Sequence, residues 1–491
     1  MSGQTSGVVA APLRIEAAAI RSRAGAPVVV TGMGPRRSQQ AAQRLGDAPR
    51  LVAGFAGGLH PDVRPGDLVV ADRLEGDGGG RDVAAGLLVA ELRRLGLTVH
   101  QGTVASSPRP VTGRSRAEAA AGGALAADTE SAWLVGTGAA AVVRAVVDTS
   151  AAELLGVRTP ANAWRAWMSL RSAAPVLGAW AAAARPRQVL LAGPRSFCAG
   201  VERAIDIVER ALQRYGEPLY VRRQIVHNSH VVAGLERRGA VFVDELDAVP
   251  DGATVVLAAH GVSPAVRAEA AGRDLHVIDA TCPLVAKVHT EARRYAGKGY
   301  ELVLIGHRDH DEIQGTLGEV AGIHLVEDPD DVHTIDPRDH DRIAYLTQTT
   351  LSTDEVAHTV ARLKERFPAI VSPAADDICY ATQNRQDAVK KMAGECDLVL
   401  VVGSANSSNS NRLVEVAERA GTTARLVDDW SDIRLEWLRD AATVGVTAGA
   451  SAPEAAVEGV VAALASLGPV DVSERSVTTE SVHFALPTEV R

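Results

Sequence analysis

The sequence predicts an α/β protein in two regions: an N-terminal α/β domain, then three α/β units in a pseudo-threefold arrangement around a shared centre. Three observations carry this reading. A cysteine recurs three times between a strand-like and a helix-like run. Three other apolar runs end in small or polar turns before helix-like runs. Composition also changes near residue 186, from an Ala-, Gly- and Arg-rich stretch without cysteine to the first cysteine unit. Alternating strands and helices build parallel sheets, which hold ligands at the carboxyl ends of their strands.

The first region, 1–185, has its own strand and glycine-turn pattern, such as Val28-Val29-Val30 running into Thr31-Gly32-Met33-Gly34. The stretch from about 160 to 186 reads as an Ala/Trp helix, closed by a Pro-marked linker at Ala184-Arg185-Pro186-Arg187. Domains are therefore expected at 1–185 and 187–487. At 491 residues, with a net charge of −9, only 3% aromatic residues and no basic block, the chain lacks what a nucleic-acid surface needs. Four cysteines in this length are no disulfide framework. The opening residues lack a charged segment followed by a sustained apolar core, and the Ala-rich run Ala173–Ala184 is too short to span a bilayer. The expectation is a cytoplasmic protein without a membrane partner.

The cysteine units come next. Val189-Leu190-Leu191 leads to Cys198 and an amphipathic stretch from Val201; Leu275–Ile278 leads to Cys282; Asp376-Asp377-Ile378 leads to Cys379. A helix N-terminus offers unpaired N–H groups and partial positive charge, which biases a thiol toward thiolate, the metal-binding form. The three lie 84 and 97 residues apart, so only a tertiary fold gathers them. Zinc sites favour paired short spacings, absent here. Three lone thiols suit an iron–sulfur cluster with one iron free of a protein ligand, since standard clusters take four cysteines. Cys396 leads into an apolar strand without a loop behind it and reads as a core residue.

The polar turns follow the other strands. Leu398–Val402 runs into Ser404–Asn411, with far more Ser and Asn than one helix cap requires; oxyanion binding at a helix N-terminus explains the excess. Ser451 repeats the arrangement before a Pro-started helix. His227, His260 and His310 stand in the same units, and together these side chains suit an anion such as diphosphate. No Lys-bearing phosphate loop accompanies them, which excludes nucleotide triphosphate chemistry. Glu312, two residues after His310, is the candidate proton relay.

These segments resemble a known family. Phe197-Cys198-Ala199-Gly200-Val201, Ile225-Val226-His227-Asn228, Ala259-His260-Gly261-Val262-Ser263 and Asp279–Val285 are similar to successive signatures of the 4-hydroxy-3-methylbut-2-enyl diphosphate reductases. So are His310–Gly315, Thr347-Gln348-Thr349-Thr350, Asp377–Thr382, Ser407–Asn411 and Gly445–Pro453. The resemblance implies a 4Fe-4S cluster on Cys198, Cys282 and Cys379. It implies diphosphate contacts from His227, His260, Ser407, Ser408, Asn409 and Ser451, with His310 lining the pocket. Glu312 would relay protons, and Thr349 or Thr350 would hold the hydroxyl end of the substrate. The implied reaction is two-electron reductive dehydroxylation to isopentenyl and dimethylallyl diphosphate, the last step of the non-mevalonate pathway, with ferredoxin or flavodoxin as electron donor. One departure is visible: the usual Gly-His-x-Gly-His reads Gly306-His307-Arg308-Asp309-His310. The competing reading is an iron–sulfur or zinc sensor without catalysis, which would need neither the Ser404–Asn411 turn nor Glu312.

Residues 1–185 resemble the nucleoside phosphorylase/nucleosidase superfamily at Val28–Gly34, Gly54–Leu59, Pro65–Val70, Asp128-Thr129-Glu130-Ser131 and Val143–Asp148. By that resemblance Glu130 would hold ribose hydroxyls, Asp148 would protonate a purine, and Glu16 would activate water.

Overall fold

The computed structural model describes residues 7–76, 79–153, 158–373 and 376–491. The N-terminal region forms one eight-stranded mixed sheet. Ala140–Asp148 is buried at every position and pairs with both Arg50–Gly58 and Leu68–Gly76. Because Val99–Ser106 and Ala126–Asp128 link the same two strands from the other side, the sheet closes on itself.

The C-terminal region holds three all-parallel sheets. The first orders Ala240–Val243, Leu219–Arg222, Thr254–Leu257 and His276–Asp279. The second orders His324–Val326, Glu301–Ile305 and Ile343–Thr347. The third orders Ala424–Val427, Leu398–Val402, Thr443–Ala448, Arg187–Gly193 and Val470–Ser476. Their central strands, such as Leu398–Val402, Thr254–Leu257 and Glu301–Ile305, are short Val-, Leu- and Ile-rich runs that are largely buried, as parallel sheets require.

Two expectations need correction. The strand before Cys198 does not open the first unit. Arg187–Gly193 inserts into the third sheet, so that sheet holds both the start and the end of the region. Its helix, Ala199–Tyr215, then crosses over to pack Ala204, Ile207, Val208 and Ala211 on Leu219 and Val221 of the first sheet. Asp376-Asp377-Ile378, read as strand-like, is not a strand; only Val371 bridges the second sheet, at Ala344. Each sheet still delivers one cysteine.

The junction is packed. The helix Thr159–Ala183 docks against Arg14–Ala24, where a side chain at Gly178 would overlap the Ala24 carbonyl. Its last turns reach the C-terminal region, and one apolar core runs through Trp180, Leu177, Leu435, Leu438 and Val444. Arg187, buried at the crossing, donates to the carbonyls of Leu438 and Ala441 at 2.9 and 3.2 Å.

Candidate active site

Each of the three cysteines is a helix N-cap: Cys198 before Ala199–Tyr215, Cys282 before Pro283–Gly297, and Cys379 before Tyr380–Ala393. Each is fixed in the same way. Cys198 N–H donates to Ala450 O at 3.2 Å, Cys282 N–H to Ala259 O at 2.9 Å and Cys379 N–H to Thr349 O at 2.9 Å. Those three carbonyls lie just past the carboxyl ends of Thr443–Ala448, Thr254–Leu257 and Ile343–Thr347. One strand-end loop thus clamps one cysteine in every unit, and all three side chains line one cavity of about 700 Å³.

The helix-end argument for thiolate does not hold by itself. Burial pushes the Cys282 thiol up to about 11 and the Cys379 thiol up to about 12, against the pull of N–H groups at Leu284 and Val285, and at Ala381 and Thr382. The neighbouring Cys198 raises both further. Thiols raised in this way shed their protons to a bound cationic group, whose charge outweighs desolvation. Gly200 leaves room for one: a Cβ there would stand 2.8 Å from Cys282 Sγ and 3.8 Å from Cys198 Sγ. The donor set and the missing side chain both fit an iron–sulfur cluster.

The opposite wall is polar. His227 stacks on His260 with ring centroids 4.0 Å apart, and His310 meets both edge-on at 5.5 and 5.8 Å. Burial lowers the pKa of all three imidazoles, His310 to about 4. Both ring nitrogens of His227, Nδ1 of His260, and both amide atoms of Asn409 are buried without hydrogen-bond partners. Such groups cost free energy unless a ligand satisfies them. Ser407 caps the helix Ser408–Arg419 by accepting from Ser410 N–H, and its hydroxyl lies 3.3 Å from that of Ser451. Ser451 donates to His227 O at 3.0 Å, tying the third unit to the first.

Glu312, on the short helix Asp311–Leu317, is 2% exposed. Thr349 holds it from above, N–H to Oε1 and hydroxyl to Oε2, each at 2.8 Å. Burial nevertheless raises its pKa to about 7, with the nearby Asp377 adding to the rise. Glu312 is thus a buried acid poised at neutral pH on the cavity wall, the condition for general acid work. Thr350 lies 3.0 Å from Ser408 and accepts from Gln348 at 2.7 Å. The cavity brings together every C-terminal residue assigned to the cluster, the diphosphate, the hydroxyl end or the proton relay in the sequence. Cys396 stays apart, packed with the core around Met392 and Val399.

Two residues escaped the sequence reading. Gln348 also accepts from His307 N–H at 3.0 Å, bracing the turn that lacks the usual glycine. Arg385, fully buried, donates to Ser196 O, Phe197 O and Ala381 O and pairs with Glu480, locking the loop before Cys198 onto the Cys379 helix. A charged residue in mid-helix gives no local sign of such burial.

A second cavity, about 770 Å³, lies in the N-terminal sheet and is lined by Glu16, Glu130 and Asp148 together. Glu16 accepts from Leu13 N–H at 2.6 Å and Phe55 N–H at 2.7 Å, and burial raises its pKa to about 7 against the pull of Arg144. Glu130 accepts from Thr129 and lies 3.5 Å from Arg144, which also pairs with Asp128 at 2.8 Å. Asp148 is ion-paired with Arg116, yet burial still raises its pKa.

Comparison with known proteins follows the same division. Residues 189–465 match the family model described as LytB protein, and residues 19–153 match that of the phosphorylase superfamily. A 4-hydroxy-3-methylbut-2-enyl diphosphate reductase of Leifsonia xyli is 59% identical over 307 residues, spanning 62% of this chain and 91% of the relative. One from Pseudomonas putida is 55% identical over 309 residues, spanning 62% and 98%. The solved reductase of Plasmodium falciparum superposes with a TM-score of 0.60 at 37% identity, covering 62% of this chain and 97% of its own.

Proposed function

Since this chain belongs to the LytB protein family and is a 4-hydroxy-3-methylbut-2-enyl diphosphate reductase of the non-mevalonate pathway, we propose the division of labour among its residues. Cys198, Cys282 and Cys379 hold a 4Fe-4S cluster. When bound, the cluster supplies the two reducing electrons, drawn from ferredoxin or flavodoxin. The balance is simple: one C–O bond breaks, two electrons and two protons are taken up, and water leaves as the allylic alcohol becomes isopentenyl or dimethylallyl diphosphate.

The protein's residues bind, orient and move protons. His227, His260, Ser407, Ser408, Asn409 and Ser451 take the diphosphate, with His310 beside them; the unpartnered buried atoms of His227, His260 and Asn409 support this assignment. Neutral imidazoles pick up protons as the anion arrives, turning each ring into a double donor. Glu312 delivers its proton to the departing hydroxyl, and Thr349, engaged with both carboxylate oxygens, aims it. Thr350 and Ser408 position the substrate beside it. The single observation that carries this reading is one cavity walled by three N-cap cysteines on one side and, on the other, by orphaned His and Asn groups beside serine hydroxyls. Anaerobic purification should give a cluster with a characteristic EPR and visible spectrum and turnover of the allylic diphosphate; an iron-free chain that reduces it equally well would refute the assignment.

The N-terminal cavity supports a second activity. Glu16, Glu130 and Asp148 converge there, which suits cleavage of a purine nucleoside with Glu130 on the ribose, Asp148 at the purine and Glu16 activating water. Base release lost in Asp148→Asn tests this. Residues 1–185 and 187–487 are the two functional units of this reading. Among the described residues no helix is long and apolar enough to cross a membrane; a cytoplasmic location is part of the same proposal.

A further inference from the structure

Arg116 and Asp148 both line the N-terminal cavity, and both are buried. Arg116 Nη2 donates to Asp148 Oδ2, so one carboxyl oxygen is already engaged. A Cβ at Gly57 would stand 3.1 Å from Asp148 Oδ1 and 3.3 Å from Arg116 Nη2. The missing side chain therefore leaves the other oxygen and the guanidinium beside one free space. The guanidinium is anchored there: Nη1 donates to Gly58 O at 3.1 Å and Nη2 also reaches Val111 O at 3.4 Å. Its Nε is buried without a hydrogen-bond partner.

An arginine carries five N–H donors and no acceptor. Next to Asp148 the cavity thus presents donors only. A purine places two groups side by side on the edge that Asp148 would protonate: N7, and the substituent at C6. N7 accepts in every purine, whereas C6 bears an accepting oxygen in guanine and a donating amino group in adenine. With Asp148 at N7, Arg116 stands at C6. An oxygen there satisfies the guanidinium. An amino group sets donor against donor inside a buried site, and the carboxyl oxygen that would otherwise receive it is held by Arg116.

We infer that Arg116 makes the N-terminal cavity selective for nucleosides of 6-oxopurines over those of 6-aminopurines. This selectivity rests on the nucleosidase reading of the cavity, with Asp148 at the base. The same contact assists departure of the base. As the C1′–N9 bond breaks, the base keeps the electron pair and N7 gains the proton of Asp148, while water gives a proton to Glu16 and its hydroxyl to C1′. Negative charge that builds on the base reaches O6, where the guanidinium meets it.

Base release from inosine, guanosine and adenosine by the full-length protein tests this, together with calorimetric binding of free hypoxanthine and adenine. Inosine and guanosine should exceed adenosine in kcat/KM by about tenfold or more, and hypoxanthine should bind tighter than adenine by a similar factor. Arg116→Gln, whose amide offers an acceptor as well as donors, should bring both ratios close to one. Equal or tighter binding of adenine, faster cleavage of adenosine, or a preference unchanged in folded Arg116→Gln would overturn the selectivity. Were that variant not to fold, the ratios of the parent chain would still decide. Tighter hypoxanthine binding with no base released from any nucleoside would sink the nucleosidase reading and leave the base preference standing.

Discussion

Thr349 grips both oxygens of Glu312, the backbone N–H on Oε1 and the hydroxyl on Oε2, each at 2.8 Å. The same residue's carbonyl accepts from Cys379 N–H at 2.9 Å. One threonine therefore fixes Glu312, the proposed acid, and Cys379, the proposed cluster ligand, to a common frame, so their separation is set by a single strand end.

The first prediction concerns pH. Burial raises the Glu312 pKa from the ordinary carboxyl value to about 7. Between those values the folded chain keeps a proton that the unfolded chain has lost, so raising pH through this window lowers folding stability. Turnover should likewise fall as pH rises through about 7, because the acid form disappears. Thr349→Val removes a donor that favours the carboxylate and should move that limb to higher pH. Glu312→Gln should keep its cluster and its substrate affinity while kcat drops by about 10²-fold or more. Anaerobic pH–rate profiles check all three.

Gly200→Ala separates cluster loading from folding. The added methyl would sit 2.8 Å from Cys282 Sγ, in the space proposed for the cluster. Replacing a helical glycine stabilises the helix by up to about 1 kcal/mol. The helix gain is set against displacement of the Cys282 sulfur, so the expected variant still folds without iron, yet binds far less iron after reconstitution. Full iron content would mean that the cluster lies elsewhere.

Cysteine identity should sort by position. Cys282→Ser is expected to lose nearly all cluster absorbance, whereas Cys396→Ser, packed against Met392 and Gly445, should keep iron and lose about 1 kcal/mol of stability. Metal analysis and thermal melts on both variants distinguish the roles.

A chain beginning at Arg185 should retain reductase turnover per cluster, because every assigned residue of that site lies beyond it. It should also melt earlier, since Leu435 and Leu438 lose the cover of the Thr159–Ala183 helix. Trp180→Ala in the full chain should cost about 3–5 kcal/mol for the same reason. Calorimetry of the two chains measures it.

The sequence by itself determined the parts whose chemistry is local. A strand, a loop and a helix start are written in successive residues, so the three N-cap cysteines, the Ser407 cap and the histidines in the loops after strands were legible before any fold was known. The polar excess from Ser404 to Asn411 pointed to a ligand for the same reason. Tertiary structure decided everything that depends on distant neighbours. Strand Arg187–Gly193 joined the third sheet because its partners, Thr443–Ala448 and Val470–Ser476, arrive some 250 residues later. Arg385 became a buried lock and Asp311 a neighbour of His260 only because separate units met. The thiols show the physical reason most plainly: a helix end favours the thiolate from within its own turn, but desolvation is contributed by the whole surrounding protein, and at Cys282 and Cys379 it is the larger effect.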